Sequence, residues 1–255
     1  MNILIISQYF WPENFKINDI AEHLNKKNLN LTVLTSYPSY PNKDHFSSFN
    51  IYKKKPKNFN KINIIRVSSI ARKTGYINQS LNYITFIFSS VFYCLYKLRK
   101  KNFDLLFVFQ TSPATVLIPA ILLGRINNIP IIVWILDLWP ETLKAMGMIR
   151  NSFLYNLFNS FFTYLYNRCD IILCQSNSIK NIINKKTNSK KGVFFPSWAE
   201  GVFYNKQKKQ LKLNIFDKKT FKIVYSGNIG KAQDFRRITY IEICVTFKSS
   251  FFFYY

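Results

Sequence analysis

Three features of the sequence predict an α/β fold, a Rossmann-like doubly wound parallel sheet filling residues 1–200. Seven short apolar runs recur along that stretch. None alternates polar with apolar residues, so each reads as a strand buried on both faces, the habit of a parallel sheet covered by helices. Longer stretches with helical periodicity lie between them and supply the crossovers that parallel strands require.

The elements follow in order. Residues 3–6 (Ile-Leu-Ile-Ile) form the first strand, and Asn14 is placed to cap a helix over residues 15–28. Strands are predicted at 31–34, 62–67 and 105–109, and again at 131–136, 171–174 and 193–195. Helices are predicted at 79–101, 114–127, 152–167 and 178–186. Residues 201–220 are lysine-rich and read as a basic linker. Residues 221–225 then open a second α/β unit.

Composition narrows the function classes. The chain has 255 residues, 48% of them hydrophobic and only seven of them glycine, which excludes collagen-like, linker and disordered classes. Its 36 basic against 12 acidic residues give a net charge of +24, which suits a polyanionic partner. The 28 lysines, 27 asparagines, 25 phenylalanines and 16 tyrosines also match drift towards AT-rich codons. The excess is spread over both halves, +10 in residues 1–141 and +14 in 142–255. That spread favours drift plus a membrane-facing enzyme over a nucleic-acid groove, and no recognised nucleic-acid module occurs. The four cysteines have no metal-binding or disulfide spacing, and the N-terminus has no signal-peptide pattern, so no metal, no cofactor and a cytoplasmic location are expected.

Residues 74–96 and 105–124 are uncharged over nearly the length of a bilayer span. The second breaks into a strand, a polar turn at Gln110-Thr111-Ser112 and a helix. The first carries Asn78, Gln79, Asn82 and Thr85, which lipid insertion penalises. It is expected to be a helix whose stripe of Leu81, Ile84, Phe88, Val91, Phe92, Leu95 and Leu98 faces a core. Its other face, with Tyr83, Phe86, Ile87 and Tyr96, leaves room for a shallow membrane-facing role, and a span stays open as the alternative.

Ligands of such sheets sit outside the carboxyl ends of the strands. Four segments there pair an aromatic ring with a polar group beside a proline: residues 7–14, residues 36–41 with Tyr37, residues 137–142 with Trp139, and residues 196–200. Aromatic faces with carboxylates and amides suit the C–H faces and hydroxyls of a sugar. Only eight carboxylates occur in the first 170 residues, and Glu13, Asp137 and Glu141 are three of them. Each can receive a hydroxyl proton or bind a sugar hydroxyl. Glu13 and Glu141 are equally well placed to favour a helix N-terminus. Further on, Ser226-Gly227-Asn228-Ile229-Gly230-Lys231 follows a predicted strand, as a turn that admits a phosphate or as a plain turn.

Taken together, residues 2–19, 34–41, 134–141 and 226–233 resemble, in family order, bacterial family 4 glycosyltransferases, with the L-fucosamine-transferase-like enzymes of O-antigen and capsule assembly as the nearest subgroup. The resemblance covers about residues 1–235. It implies a GT-B architecture, of which residues 1–200 are the N-terminal, acceptor-binding half. It also implies metal-free, retaining transfer from a nucleotide sugar to a lipid-linked saccharide at the anionic inner face of the plasma membrane. By position, Glu13, Asn14, Tyr37, Trp139 and Glu141 are expected to bind the acceptor and Asp137 to be catalytic, although relatives place a histidine near it. Gly227, Asn228, Gly230 and Lys231 are expected against the donor diphosphate.

The departures are specific. Relatives continue for a further ~100–150 residues containing an acidic pair that holds the donor. Asp234 and Glu242 have a comparable spacing but stand too early in the chain. From Arg236 to the terminal Phe-Phe-Phe-Tyr-Tyr the pattern is lost, which predicts a frameshift near residue 235 and a truncated donor-domain stub at 221–255. The chain alone is therefore expected to be inactive or incomplete as a transferase. The alternative is a non-catalytic basic protein of the membrane surface.

Overall fold

The computed structural model describes residues 1–41, 43–46, 59–73 and 75–199. The chain divides into two compact units, Met1–Thr142 with Asn151–Trp198, and Leu143–Arg150 with Ala199–Tyr255. The sheet belongs wholly to the first. The predicted linker, the stub and the turn with Gly227, Asn228, Gly230 and Lys231 lie outside the described residues.

Chain order is β1 (Asn2–Ser7), α1 (Lys16–Lys26), β2 (Asn30–Ser36), β3 (Asn63–Val67), α2 (Tyr76–Tyr93, prolonged by a π turn over Cys94–Leu98), β4 (Leu105–Gln110) and α3 (Leu117–Asn127). It continues with β5 (Ile131–Ile135), α4 (Glu141–Ala145), α5 (Ser152–Asn167), β6 (Ile171–Cys174), α6 (Asn177–Thr187) and β7 (Gly192–Phe194). The seven strands form one parallel sheet in the order β3-β2-β1-β4-β5-β6-β7. This is the predicted doubly wound sheet. The chain winds outward one way from β1 and the other way from β4, so the switch point, where such sheets bind ligands, falls between those two strands.

Register explains the unbroken apolar runs. Ile3 pairs with Leu31 and Leu105, and Ile5 with Val33 and Phe107. Ile3 and Ile5 point into one core with Ile17 and Ala21 of α1, Phe109 and Trp134. Leu4 and Ile6 point into the other, with Phe86, Leu117, Leu123 and Phe162 from α2, α3 and α5. At the central strands β1 and β4 both faces are covered, so neither needs polar residues there, and each fully buried aliphatic side chain stabilises the fold by ~1.5–3 kcal/mol. At α3 a Cβ on Gly124 would lie 3.0 Å from the Ile129 carbonyl oxygen, which is why glycine stands where this helix meets the turn into β5. After α1, α3 and α6 the chain passes through a left-handed residue, Asn28, Asn128 and Asn188 (φ 58°, 53° and 46°). Asparagine takes the place that glycine usually fills, in a chain with few glycines.

The long helix α2 corrects the sequence reading. Its buried residues are Asn82, Phe86 and Ser90, followed by Cys94 and Leu98 in the π turn. The expected core stripe faces outward instead. Leu81, Ile84, Phe88 and Phe92, with Ile77 and Tyr96, are 40–78% exposed, and of that stripe only Leu98 is buried. The inversion is possible because the buried amide is satisfied: Asn82 accepts from Gln8 Nε2 (2.7 Å) and donates to the Ile70 carbonyl (2.6 Å). An open groove of about 690 Å³ runs along the outer half of α2, lined in part by Phe88, Phe92, Tyr93 and Tyr96.

Candidate active site

The loops after β1, β2 and β3 meet at one side of the switch point and are held by buried polar ties. Glu13 is 2% exposed. Its carboxylate accepts from the backbone N–H groups of Ser39 (2.8 Å), Tyr40 (2.7 Å) and Phe10 (3.2 Å). Burial pushes its pKa up, opposed by those three N–H groups and by the Arg66 charge. Arg66, on β3, donates to the carbonyls of Ser36 (2.8 Å) and Trp11 (2.5 Å). Glu13 and Arg66 therefore clamp the β1 and β2 loops together, and both carboxylate oxygens of Glu13 are engaged by backbone.

Asn14 does not cap α1. The helix begins after Phe15 with no side-chain cap, and Asn14 is exposed. Asn18, one turn inside, takes over the loop: its Oδ1 accepts from Trp11 N–H (3.0 Å) and its Nδ2 donates to the Glu13 carbonyl (2.7 Å). The amide that caps a helix entrance must sit on the residue with extended backbone just before it, and that residue is phenylalanine. Tyr37 stands exposed on the β2 loop.

Deeper in the same loops, Arg72 donates to the hydroxyls of Tyr9 (2.8 Å) and Tyr83 (3.0 Å) and lies over the rings of Tyr40 and Tyr83. Tyr9 stacks on Phe15 with ring centroids 5.0 Å apart. Burial raises the Tyr9 pKa far above its usual value, so its hydroxyl stays protonated.

On the other side of the switch point stand β4 and β5. Gln110, the last residue of β4, is fully buried; its Nε2 donates to the Asp137 carbonyl (2.8 Å) and lies 3.3 Å from the Tyr166 hydroxyl, while its Oε1 has no partner. Trp139 N–H reaches the same Tyr166 hydroxyl (3.4 Å), and its ring packs edge-on against Phe162, leaving Nε1 buried without a partner. Orphaned buried polar atoms cost ~1–3 kcal/mol each and mark places where a water or ligand group fits. Asp137 is half-buried, and its side chain has no hydrogen bond among the described residues. Burial alone pushes its pKa up. Glu141 has a different environment: one oxygen accepts from Lys186 Nζ (2.6 Å) and the Tyr155 hydroxyl (3.3 Å), tying α4 to α5 and α6.

The structure thus gathers Glu13, Tyr37, Asp137 and Trp139 on the carboxyl rim of the sheet and assigns Glu13 and Glu141 to structural ties. Arg66, Arg72, Gln110, Asn18 and Asn82 were not singled out in the sequence as site residues. Gln110 alone had a visible signal, a polar residue directly after a buried strand. Among the described residues no cluster of metal-ligating side chains occurs, and Cys94, Cys169 and Cys174 are free and buried.

Fold and rim together define an α/β domain with a doubly wound parallel sheet and polar ties among its strand-end loops. No protein-family model and no curated protein matches the sequence. Among solved structures, the chain is similar to Anabaena HepE, crystallised with UDP and glucose (11% identity, 78% of this chain and 45% of that one, TM-score 0.44). It is also similar to a glycosyltransferase of Rickettsia africae (13%, 80% and 45%, TM-score 0.46). A third is the UDP-GlcNAc 2-epimerase of Methanocaldococcus jannaschii (15%, 76% and 45%, TM-score 0.46). The chain spans about 45% of the length of each of these proteins.

Proposed function

We propose that residues 1–199 form the acceptor-binding half of a GT-B glycosyltransferase that uses a nucleotide sugar in cell-surface polysaccharide assembly. The observation that carries this reading is Asp137: a half-buried carboxylate with no hydrogen bond among the described residues, two positions after β5, the strand next to β4. The orphaned Gln110 Oε1 and Trp139 Nε1 belong to the same loop network. Burial without a counter-charge makes the Asp137 carboxylate more basic, which suits it to hold an acceptor hydroxyl by its proton and orient the oxygen for transfer. Retention of configuration, the O-antigen or capsule setting, a metal-free donor site on Gly227, Asn228, Gly230 and Lys231, and a family 4 assignment rest on the sequence motifs.

The experiment is saturation-transfer NMR of the purified 255-residue chain with saccharide acceptors, with an oligonucleotide as control. Saccharide binding should weaken ~10-fold in Asp137→Asn, the loss of one charge-assisted hydrogen bond. Equal binding by the variant contradicts the role given to Asp137.

The outward stripe of α2 favours a second, compatible reading, peripheral attachment to an anionic membrane on the cytoplasmic side. Residues Tyr76–Leu98 are long and apolar enough to cross a bilayer by length and composition. Their inner face is tied into the sheet through Asn82 and Phe86, so crossing would require leaving the domain, whereas lying on the surface would not. Lys97, Arg99, Lys100 and Lys101 follow the stripe, where cations meet anionic headgroups.

A further inference from the structure

Two half-buried arginines, Arg66 on β3 and Arg72 in the loop after it, differ in what balances them. Arg66 gives both terminal nitrogens to backbone carbonyls and sits in the field of the Glu13 carboxylate. Arg72 uses one nitrogen, Nη1, for two tyrosine hydroxyls, and among the described residues no carboxylate pairs with it and its Nε and Nη2 have no partner. Its guanidinium carbon lies 5.1 Å from the centroid of the Tyr40 ring and 5.9 Å from that of Tyr83. Aromatic faces stabilise a cation by ~0.5–2 kcal/mol but supply no counter-charge. A guanidinium drawn part-way out of water favours an anion that brings one.

The surrounding groups complete such a site. Each tyrosine hydroxyl accepts from Arg72, which leaves its own proton free to donate. The guanidinium edge and the two hydroxyls thus offer several donors within one cluster, of which Tyr9 is the more deeply buried, more than the two oxygens of a planar carboxylate use and suited to the three oxygens of a phosphate. The cage is also braced. Gln8, beside Tyr9, bonds Asn82, beside Tyr83; Asn82 bonds the Ile70 carbonyl, and Ile70 N–H donates to Thr85 Oγ1 (3.0 Å). These ties fix β1 loop, β3 loop and α2 to one another before any ligand arrives, which lowers the ordering cost of binding.

We propose that Arg72, with Tyr9 and Tyr83, binds a phosphate group at the strand-end rim. The site deepens the acceptor reading, on which only the source of the phosphate rests: a lipid-phosphate carrier or a nucleoside diphosphate.

The test uses the wild-type chain first. An arginine-specific dicarbonyl modifies Arg72, followed by peptide mass spectrometry, with and without pyrophosphate; surface Arg150 is the internal control. Pyrophosphate should slow modification of Arg72 at least ~5-fold and leave Arg150 unchanged. Equal rates at Arg72 overturn the proposal. Titration calorimetry then compares farnesyl diphosphate, farnesol and UDP. Tighter binding of farnesyl diphosphate than of UDP assigns the lipid source, and the reverse assigns the nucleotide. Binding of farnesol equal to that of farnesyl diphosphate overturns the site. Arg72→Gln should weaken the preferred diphosphate at least ~10-fold. Should that variant fold poorly, Tyr83→Phe keeps the ring and removes one donor, and it should weaken diphosphate with no change in farnesol binding. If pyrophosphate protects Arg72 while no saccharide binds the chain, the phosphate site stands and the transferase reading fails.

Discussion

Glu13 and Asp137 stand at the same rim with their pKa values pushed the same way, yet the chain treats them oppositely. Glu13 is bound by three backbone N–H groups, so Glu13→Ala leaves those donors buried and empty and should cost about 2–3 kcal/mol, read as a fall in Tm. Asp137 has no such partners. Its native pKa is raised above the ordinary 3.8, so its contribution to stability is fully present below that value and is lost as pH rises through the native pKa. Asp137→Asn should therefore raise Tm at pH 7, and by less as the pH falls towards the ordinary carboxylate range. A variant less stable than the parent at pH 7 would show that the carboxylate has a partner. The sequence placed both acids at strand ends but could not separate them, because two of the three donors that engage Glu13 come from residues 26 and 27 positions away. Arg72 was invisible for the same reason: its tyrosines lie 63 and 11 positions away, on different elements.

At the scale of elements, the buried strands and most helices were legible because continuous apolar runs leave few alternatives to a covered parallel sheet. The facing of α2 was not. Periodicity reports which residues share a stripe, and a helix apolar on most sides offers two stripes. The choice was made by Gln8, which reaches across to Asn82 and draws the polar stripe inward. Neighbouring phenylalanines test the result. Phe86→Ala should cost ~3–5 kcal/mol as a cavity in the core, whereas Phe88→Ser, at an exposed position, should stay within ~0.5 kcal/mol. The double variant Phe88→Ser with Phe92→Ser should keep the parent Tm and lose most of its flotation with anionic liposomes. Unchanged flotation would remove α2 from the membrane reading.

For the whole molecule, the net charge of +24 is spread over both halves of the sequence. Cations sit at the end of α2, where a membrane surface suits them, and Arg72 sits among the strand-end loops against Tyr9 and Tyr83. In the doubly wound sheet the winding reverses between β1 and β4, and such sheets bind ligands outside the carboxyl ends of their strands, on the side of the loops after β1 to β5. The strand-end rim is proposed to receive a saccharide acceptor. The most direct test is photo-crosslinking of the chain with a lipid-linked saccharide bearing a diazirine on the sugar, read by peptide mass spectrometry. Saccharide-competed labelling is expected within residues 7–14, 110–113 and 136–141. Labelling confined to the opposite, amino-terminal ends of the strands, or labelling that free saccharide does not compete, would contradict it.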